Sequence, residues 1–145
     1  MARNSREPKG MELEQLLGYQ LRRASATMMA DLSARLAPLE LTPISASILL
    51  LIGSNRGITQ SEIGRILSIK RTNLVPTAAN LQARGLIERK RVDGRSHGLE
   101  LSAAGGALAT QVRRQMRANE RRFKTRVDPA LIEPLISALG LLWRD

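Results

Sequence analysis

Cysteine is absent from the 145 residues, and histidine occurs once, at His97. Disulfides, thiolate metal sites and thiol redox sensing by this chain are therefore excluded. One imidazole without a compact Asp/Glu cluster offers neither a zinc site nor an oxygen cage, so no metal and no cofactor is expected. Long apolar runs are also missing. The longest, Ile44 to Ile52, is too short to span a bilayer and is diluted by Ser45 and Ser47. Residues 1–10 lack the apolar core of a signal peptide and read as a flexible basic tail. A cytoplasmic protein with no membrane partner is the expectation. Nucleophile–base pairs and phosphate-cradling glycine-rich motifs are lacking too, which argues against an enzyme.

Acidic residues are in short supply, 13 against 23 Lys and Arg, giving a net charge of +10. The excess is confined to two stretches. Ile58 to Leu101 holds eight basic and four acidic residues, Gln111 to Arg126 holds seven and one, and the remainder is balanced. A partner with regularly spaced negative charge fits this distribution, nucleic acid ahead of an anionic membrane. A basic surface kept for solubility is the alternative. With 43% apolar residues, the chain suits one domain with a real core.

Along the chain, Leu13, Leu16, Leu17, Leu21, Ala24, Met28, Leu32 and Leu36 recur at three and four, predicting one long helix from Met11 to about Pro38. Thr42 is a cap and Pro43 a first helical residue for the next helix, with Ile44, Ile48, Leu49 and Ile52 as its buried side. Thr59-Gln60-Ser61-Glu62 is a capping box opening a short helix with Ile63, Ile66 and Leu67 on its apolar face. Gly64 allows close helix contact, and Leu67-Ser68-Ile69 reads as a tight turn. The next helix, Lys70 to Arg84, buries Leu74, Ala78 and Leu81 and offers Arg71, Thr72, Asn73, Thr77 and Asn80 on its other side. Those side chains suit a major groove: guanidinium grips guanine, amides pair with adenine, and a threonine methyl meets that of thymine. The bland alternative is an exposed polar helix face.

Pro76 complicates this helix, because its missing N–H and its ring distort an interior turn. Either the first turn is distorted or regular helix starts near Leu74. Both options put Arg71, Thr72 and Asn73 at a free helix end suited to phosphate. Gly85 then caps the helix, and a hairpin follows: a basic strand from Leu86 through Arg89, Lys90 and Arg91, a loop over Val92 to Gly98, and a return strand Leu99 to Leu101. Asp93 can stiffen the loop so that Arg95 projects into a minor groove, or can serve the turn alone. His97 is expected in the loop, donating to phosphate or solvent.

The fold class is thus mainly α with a small β-hairpin wing: a winged helix-turn-helix lobe plus a helical dimerisation region. The expected divisions are a tail (1–10), a first helix for dimerisation and a pocket (11–40), the DNA-binding lobe (41–105), and a basic helix with a terminal dimerisation helix (106–145). In that last part Ser102 caps a helix with Leu108, Val112, Met116, Phe123 and Val127 as a sparse seam. The crowded cations of 113–126 call for a neutralising partner: DNA phosphates, acidic residues of a second subunit or an anionic ligand, unless they form a solvated face. Asp128-Pro129 opens a terminal helix with Leu131, Ile132, Leu135, Ile136, Leu139, Leu142 and Trp143, too apolar to remain uncovered, which points to a homodimer.

The strings TQSEIGRIL, KRTNLV, LQARGLIER, DGR and LELSAAG, in this order, resemble the MarR family of transcriptional regulators. The resemblance covers about Leu41 to Gly105. It implies a two-fold dimer on a palindromic double-stranded operator, a wing motif carried by Asp93 and Arg95, and a recognition helix over Arg71 to Arg84. It departs at Pro76, where many members carry a basic residue. It also implies a dimeric repressor released by a small effector, an aromatic acid or its thioester. Tyr19, Arg22 and Arg23 are pocket candidates, with one ring and two cations for a carboxylate; ordinary helix surface is the alternative. The DNA-contact set is Lys70, Arg71, Thr72, Asn73, Thr77, Asn80, Arg89, Arg91, Asp93, Arg95 and His97. A sequence-independent architectural DNA- or RNA-binding protein would use the same surface.

Overall fold

The computed structural model describes residues 11–91, 93–94 and 97–144. The basic tail expected over residues 1–10 lies outside them, as does Arg95, expected in the wing loop. The elements are α1 (Met11–Glu14), α2 (Leu17–Leu36), a 3-10 turn (Ala37–Leu39), α3 (Pro43–Ser54), α4 (Gln60–Leu67), α5 (Arg71–Ala83), strands β1 (Ile87–Arg91) and β2 (His97–Leu101), α6 (Ala103–Lys124) and α7 (Pro129–Gly140). This is a winged helix-turn-helix, with α4 and α5 as the helix pair and β1–β2 as the wing.

Sequence signals set most helix starts. Thr42 accepts from the Ser45 N–H at 3.1 Å, and the Ser45 hydroxyl accepts from the Thr42 N–H at 2.8 Å, with Pro43 at the first helical position. Thr59 and Glu62 close α4 in the same reciprocal way, at 3.2 and 2.8 Å. Ser102 accepts from Gly105 at 3.0 Å to start α6, and Asp128 accepts from Ala130 at 2.9 Å to start α7. Each cap satisfies a backbone donor that the helix itself leaves open.

The helix ends are less visible in the sequence. Gly85, at φ +70, ends α5 as expected, with Leu86 N–H reaching the Leu81 carbonyl at 3.0 Å and Gly85 N–H the Gln82 carbonyl at 2.9 Å. The same paired bonds recur at Glu40 (φ 54) and Ser68 (φ 52), where no glycine eases the left-handed backbone. At Ser68 the turn brings Ile69 N–H to the Gly64 carbonyl at 2.9 Å. A Cβ on Gly64 would then lie 3.2 Å from the Ile69 carbonyl and 3.4 Å from the Leu74 side chain, so the expected close helix contact is present.

Four expectations are corrected. The long first helix is broken after Glu14, and α2 starts at Leu17, where Gln20 donates back to the Glu14 carbonyl at 2.6 Å. The leucine stripe runs unbroken through the break, which is why periodicity missed it. Ile44 is 46% exposed rather than buried; Ala46 completes the buried side of α3 with Ile48, Leu49 and Ile52. Helix α5 runs from Arg71 straight through Pro76, so the later start near Leu74 is not adopted. The return strand begins at His97 rather than Leu99, which moves His97 from the loop into the sheet opposite Arg91.

The core joins Leu32 and Leu36 of α2 to Ile48, Leu49 and Ile52 of α3, Ile63 of α4, Leu74, Ala78 and Leu81 of α5, Ile87 and Leu99 of the wing, and Ala109 and Val112 of α6. Ile58 adds a bridge to Leu99, a third short rung on the wing (Leu99 N–H to Ile58 carbonyl, 2.8 Å). Asn119 is a buried polar member of the α6 seam that the apolar pattern passed over. Its amide donates to the Met28 carbonyl at 3.1 Å and to Asp31 at 3.0 Å, pinning α6 to α2. No residue of α7 is buried. Among the described residues no single helix is long and apolar enough to cross a membrane.

Candidate DNA interface and a second cleft

The N-termini of α4 and α5 and the inner face of the wing meet on one side of the lobe. Side chains alternate along a strand, so Arg89 and Arg91 of β1 share a face with Ile87, and His97 of β2 with Leu99. Near the hairpin base that face is core; toward the tip it emerges as Arg89, Arg91 and His97, all exposed. A cleft of about 350 Å³ lies between Thr59, Gln60, Ser61, Arg71, Arg89, His97 and Leu99. A neighbouring one of about 340 Å³ adds Gly64, Arg65, Ile69 and Leu74 and shares Gln60, Ser61 and Arg71. Cations and hydroxyls thus converge around Arg71.

The outer face of the wing is different in kind. Glu88 and Glu100 stand opposite each other, a repulsive pairing. Glu100 is bound by Lys90 at 3.0 Å and Arg56 at 3.3 Å. Lys90 first, then Arg56, holds its carboxyl below the usual range. Lys90 is therefore occupied on the outer face while Arg89 and Arg91 stay on the inner one.

The two helix starts also differ. Glu62 closes α4, and the Thr59 backbone N–H that it accepts lowers its pKa. Helix α5 starts at Lys70 with no side-chain cap, leaving its first N–H groups to an external acceptor. Thr72, Asn73 and Asn80 are exposed. Thr77 is half-buried, and its hydroxyl donates to the Asn73 carbonyl at 2.8 Å. Asp93 lies exposed beside Gly94 in the wing turn. The neighbours Gln60, Ser61 and Arg65 were missed by sequence reading, since only the packing of α4 against α5 and the wing brings them here. Arg84 is turned away from this surface, donating to the Glu40 carbonyl at 2.7 Å and the Leu39 carbonyl at 3.1 Å.

A second cleft, of about 510 Å³, lies at the other end of the molecule between α2, α6 and α7. Tyr19 and Arg23 line it with Met28, Phe123, Arg126 and Leu135. Arg22 is not in the lining; its guanidinium lies 5.4 Å from the Tyr19 ring centre. Arg126 lies 4.9 Å from the centre of Phe123. Two rings and two guanidinium groups line the space with the single acidic residue Glu14, a balance of charge that still suits a planar anion. Phe123, in the last turn of α6, and Arg126, in the turn that follows it, lie some hundred residues away in sequence, so no local pattern could have joined them to Tyr19.

The cations of α6 divide by neighbourhood. Asp31 of α2 takes Arg122 and Arg35, the latter at 2.6 Å, and Lys124 pairs with Glu120 at 3.4 Å. The bond from Arg35, then that from Asn119, holds the Asp31 carboxyl below its ordinary value. Arg113, Arg114, Arg117 and Arg121 line a shallow cleft with Thr110 on the opposite face.

An open helix N-terminus, a cationic wing face and a helix-turn-helix between them define a DNA-binding regulator of the winged-helix class. Residues 39–96 match the MarR family. The transcriptional repressor Rv2887 of Mycobacterium tuberculosis is 30% identical over 113 residues, 77% of this chain and 81% of that protein. The solved structure of the transcriptional repressor CouR bound to p-coumaroyl-CoA is 36% identical, with a TM-score of 0.86 over 96% of this chain and 99% of that one. CouR bound to a 23-mer DNA duplex gives 36% identity and a TM-score of 0.88 over 95% and 99%. The chain belongs to the MarR family of transcriptional regulators. Proteins of this family are dimers.

Proposed function

We propose that this chain is a dimeric, sequence-specific repressor that binds a palindromic operator and is released by an aromatic acid or its thioester. The observation that supports the reading is a pair of dissimilar clefts, one beside the wing from which α6 starts and one beside the end of α6. Helix α6 leaves the wing at Ser102 and ends at Lys124, beside Phe123 of the ring-and-arginine cleft. Occupation of the cleft changes how α2, α6 and α7 pack, and with it the spacing of the two lobes in the dimer. Only one spacing matches half-sites about one DNA turn apart.

At the DNA end, Lys70, Arg71, Arg89, Arg91 and His97 hold phosphates, with Gln60, Ser61 and Arg65 beside them. Thr72, Asn73 and Asn80 face bases. At the other end, Arg23 and Arg126 receive a carboxylate or a thioester carbonyl, and Tyr19 and Phe123 flank an aromatic ring. CouR, with its bound p-coumaroyl-CoA, supports the ligand class. The exposed apolar residues of α1, α2 and α7, including Leu13, Leu16, Leu17, Leu131 and Ile136, form the dimer surface.

The test has two stages. A duplex is selected from a random pool, and its affinity is compared with that of random duplex at physiological salt. A specific regulator gains at least about a thousandfold, whereas an architectural protein binds both alike. Aromatic acids and their coenzyme A thioesters are then screened for release. Arg23→Ala combined with Arg126→Ala should abolish release while operator binding persists. Retained release in the double variant would place the effector elsewhere.

A further inference from the structure

With about 3.6 residues per turn, the residues of α5 opposite buried Leu74, Ala78 and Leu81 are Thr72, Pro76, Ala79 and Ala83, with Asn80 at their edge. All five are exposed. This outward stripe is made almost entirely of methyl and ring carbon. Arg71 stands at the first turn, and Arg84 is held by the Leu39 and Glu40 carbonyls. Thr77, off the stripe, spends its hydroxyl on the Asn73 carbonyl. Past the first turn, the polar side chain left to the stripe is Asn80. Pro76 sits in its middle, in a helix that it would ordinarily disturb, with its ring turned to solvent.

In the major groove the apolar feature that separates one base pair from another is the 5-methyl group of thymine. We propose that α5 reads its half-site chiefly through thymine methyl groups, packed against the Pro76 ring and the methyls of Thr72 and Ala79, with Asn80 pairing with an adenine. An A·T pair serves both partners at once, offering an amide-reading edge on the purine and a methyl on the pyrimidine. This inference rests on α5 occupying the major groove as the function above requires. It sets specificity by carbon contact, where a basic residue at position 76 would instead reach for guanine.

The test uses a duplex selected from a random thymine-containing pool and the same sequence with uracil in place of thymine, position by position. Uracil keeps the base-pairing edge and removes only the methyl. Each methyl packed against α5 should contribute about fourfold in affinity, from about 0.8 kcal/mol per buried methylene-sized group. Uracil outside the recognition-helix footprint should leave affinity unchanged. Pro76→Ala, which favours the helix and removes the ring, should shrink the uracil penalty at one position of each half-site. If the uracil duplex binds within twofold of the thymine duplex, methyl reading is wrong while specific DNA binding stands. A uracil penalty untouched by Pro76→Ala, Ala79→Gly and Thr72→Ser alike assigns the effect to DNA shape and overturns the role of α5. If no duplex is enriched from the pool, the regulator reading itself fails, and this inference with it.

Discussion

The two ends of the molecule solve opposite problems. The lobe from α3 to β2 has its apolar side chains inside and its cations outside; Ile48, Leu49, Ile52, Ile63 and Leu81 are fully buried, and Arg71, Arg89 and His97 surround an open cleft. The end built by α1, α7 and the start of α2 instead leaves apolar side chains outside, with Leu17 62% exposed and Trp143, just past α7, 72% exposed. One end is finished as a single chain and waits for phosphate. The other leaves its apolar side chains open, the surface that we propose a second copy covers, and the ring-lined cleft lies at that end. A repressor with its ligand cleft inside the finished lobe would have to disturb a close-packed core in order to respond.

The sharpest way to break the lobe is at Gly105. A Cβ there would lie 1.9 Å from the Leu86 carbonyl, which also accepts the Ser102 N–H at 3.1 Å. Gly105→Ala should cost about 3 kcal/mol, read by denaturant unfolding, because backbone must move to admit the methyl. A change within measurement error would mean that α6 does not abut the wing this closely. At the other end, Leu131→Asp with Ile136→Asp should leave the lobe folded but yield monomers in sedimentation. Operator affinity should then fall by about a hundredfold as two linked contacts become one; an intact dimer would show that α7 is not the contact surface.

Smaller effects separate the roles within each end. Arg89→Ala should weaken operator and random duplex alike and make the salt dependence shallower by about 0.9 in log–log slope. Loss on the operator alone would move Arg89 to base reading. Asp31, whose carboxyl is held below its ordinary value by Arg35 and Asn119, ties α2 to α6. A depressed folded-state pKa gives stability that is complete above the unfolded-state value and declines as pH falls through the folded one. Unfolding followed against pH should show this acid-side decline in the wild-type protein and less of it in Asp31→Asn. An identical acid limb in the two would remove Asp31 from the link between α2 and α6.

Local chemistry was readable and long-range chemistry was not. Thr42-Pro43, Thr59 with Glu62, Ser102 and Gly85 marked helix boundaries because each acts on backbone groups within a few residues of itself. The turns at Glu40 and Ser68 were hidden, since neither residue type announces a left-handed backbone, and packing imposes it. Asn119 escaped because an apolar pattern cannot anticipate a buried amide whose partners lie on another helix. At the DNA interface, residue types suggested Arg71 and Arg89, but the convergence of Gln60, Ser61 and Arg65 upon them depended on tertiary packing. The residue types of Tyr19 and Arg23 point to a pocket, whereas only the fold brings Phe123 and Arg126 to it.

The junction at Leu86, Ser102 and Gly105 has a mechanical consequence. Because Leu86, the residue just before the wing's first strand, and the start of α6 share backbone contact with no side chain between them, the two have no soft joint, and the helix behaves as a lever fixed to the base of the wing. Its 22 residues give an arm of about 33 Å at roughly 1.5 Å per residue. A tilt of about 5° therefore displaces one end relative to the other by about 3 Å, close to the rise of one base pair. Under the proposed function, a ligand no larger than one aromatic ring, acting beside Phe123, has enough leverage to put the wing out of step with the groove.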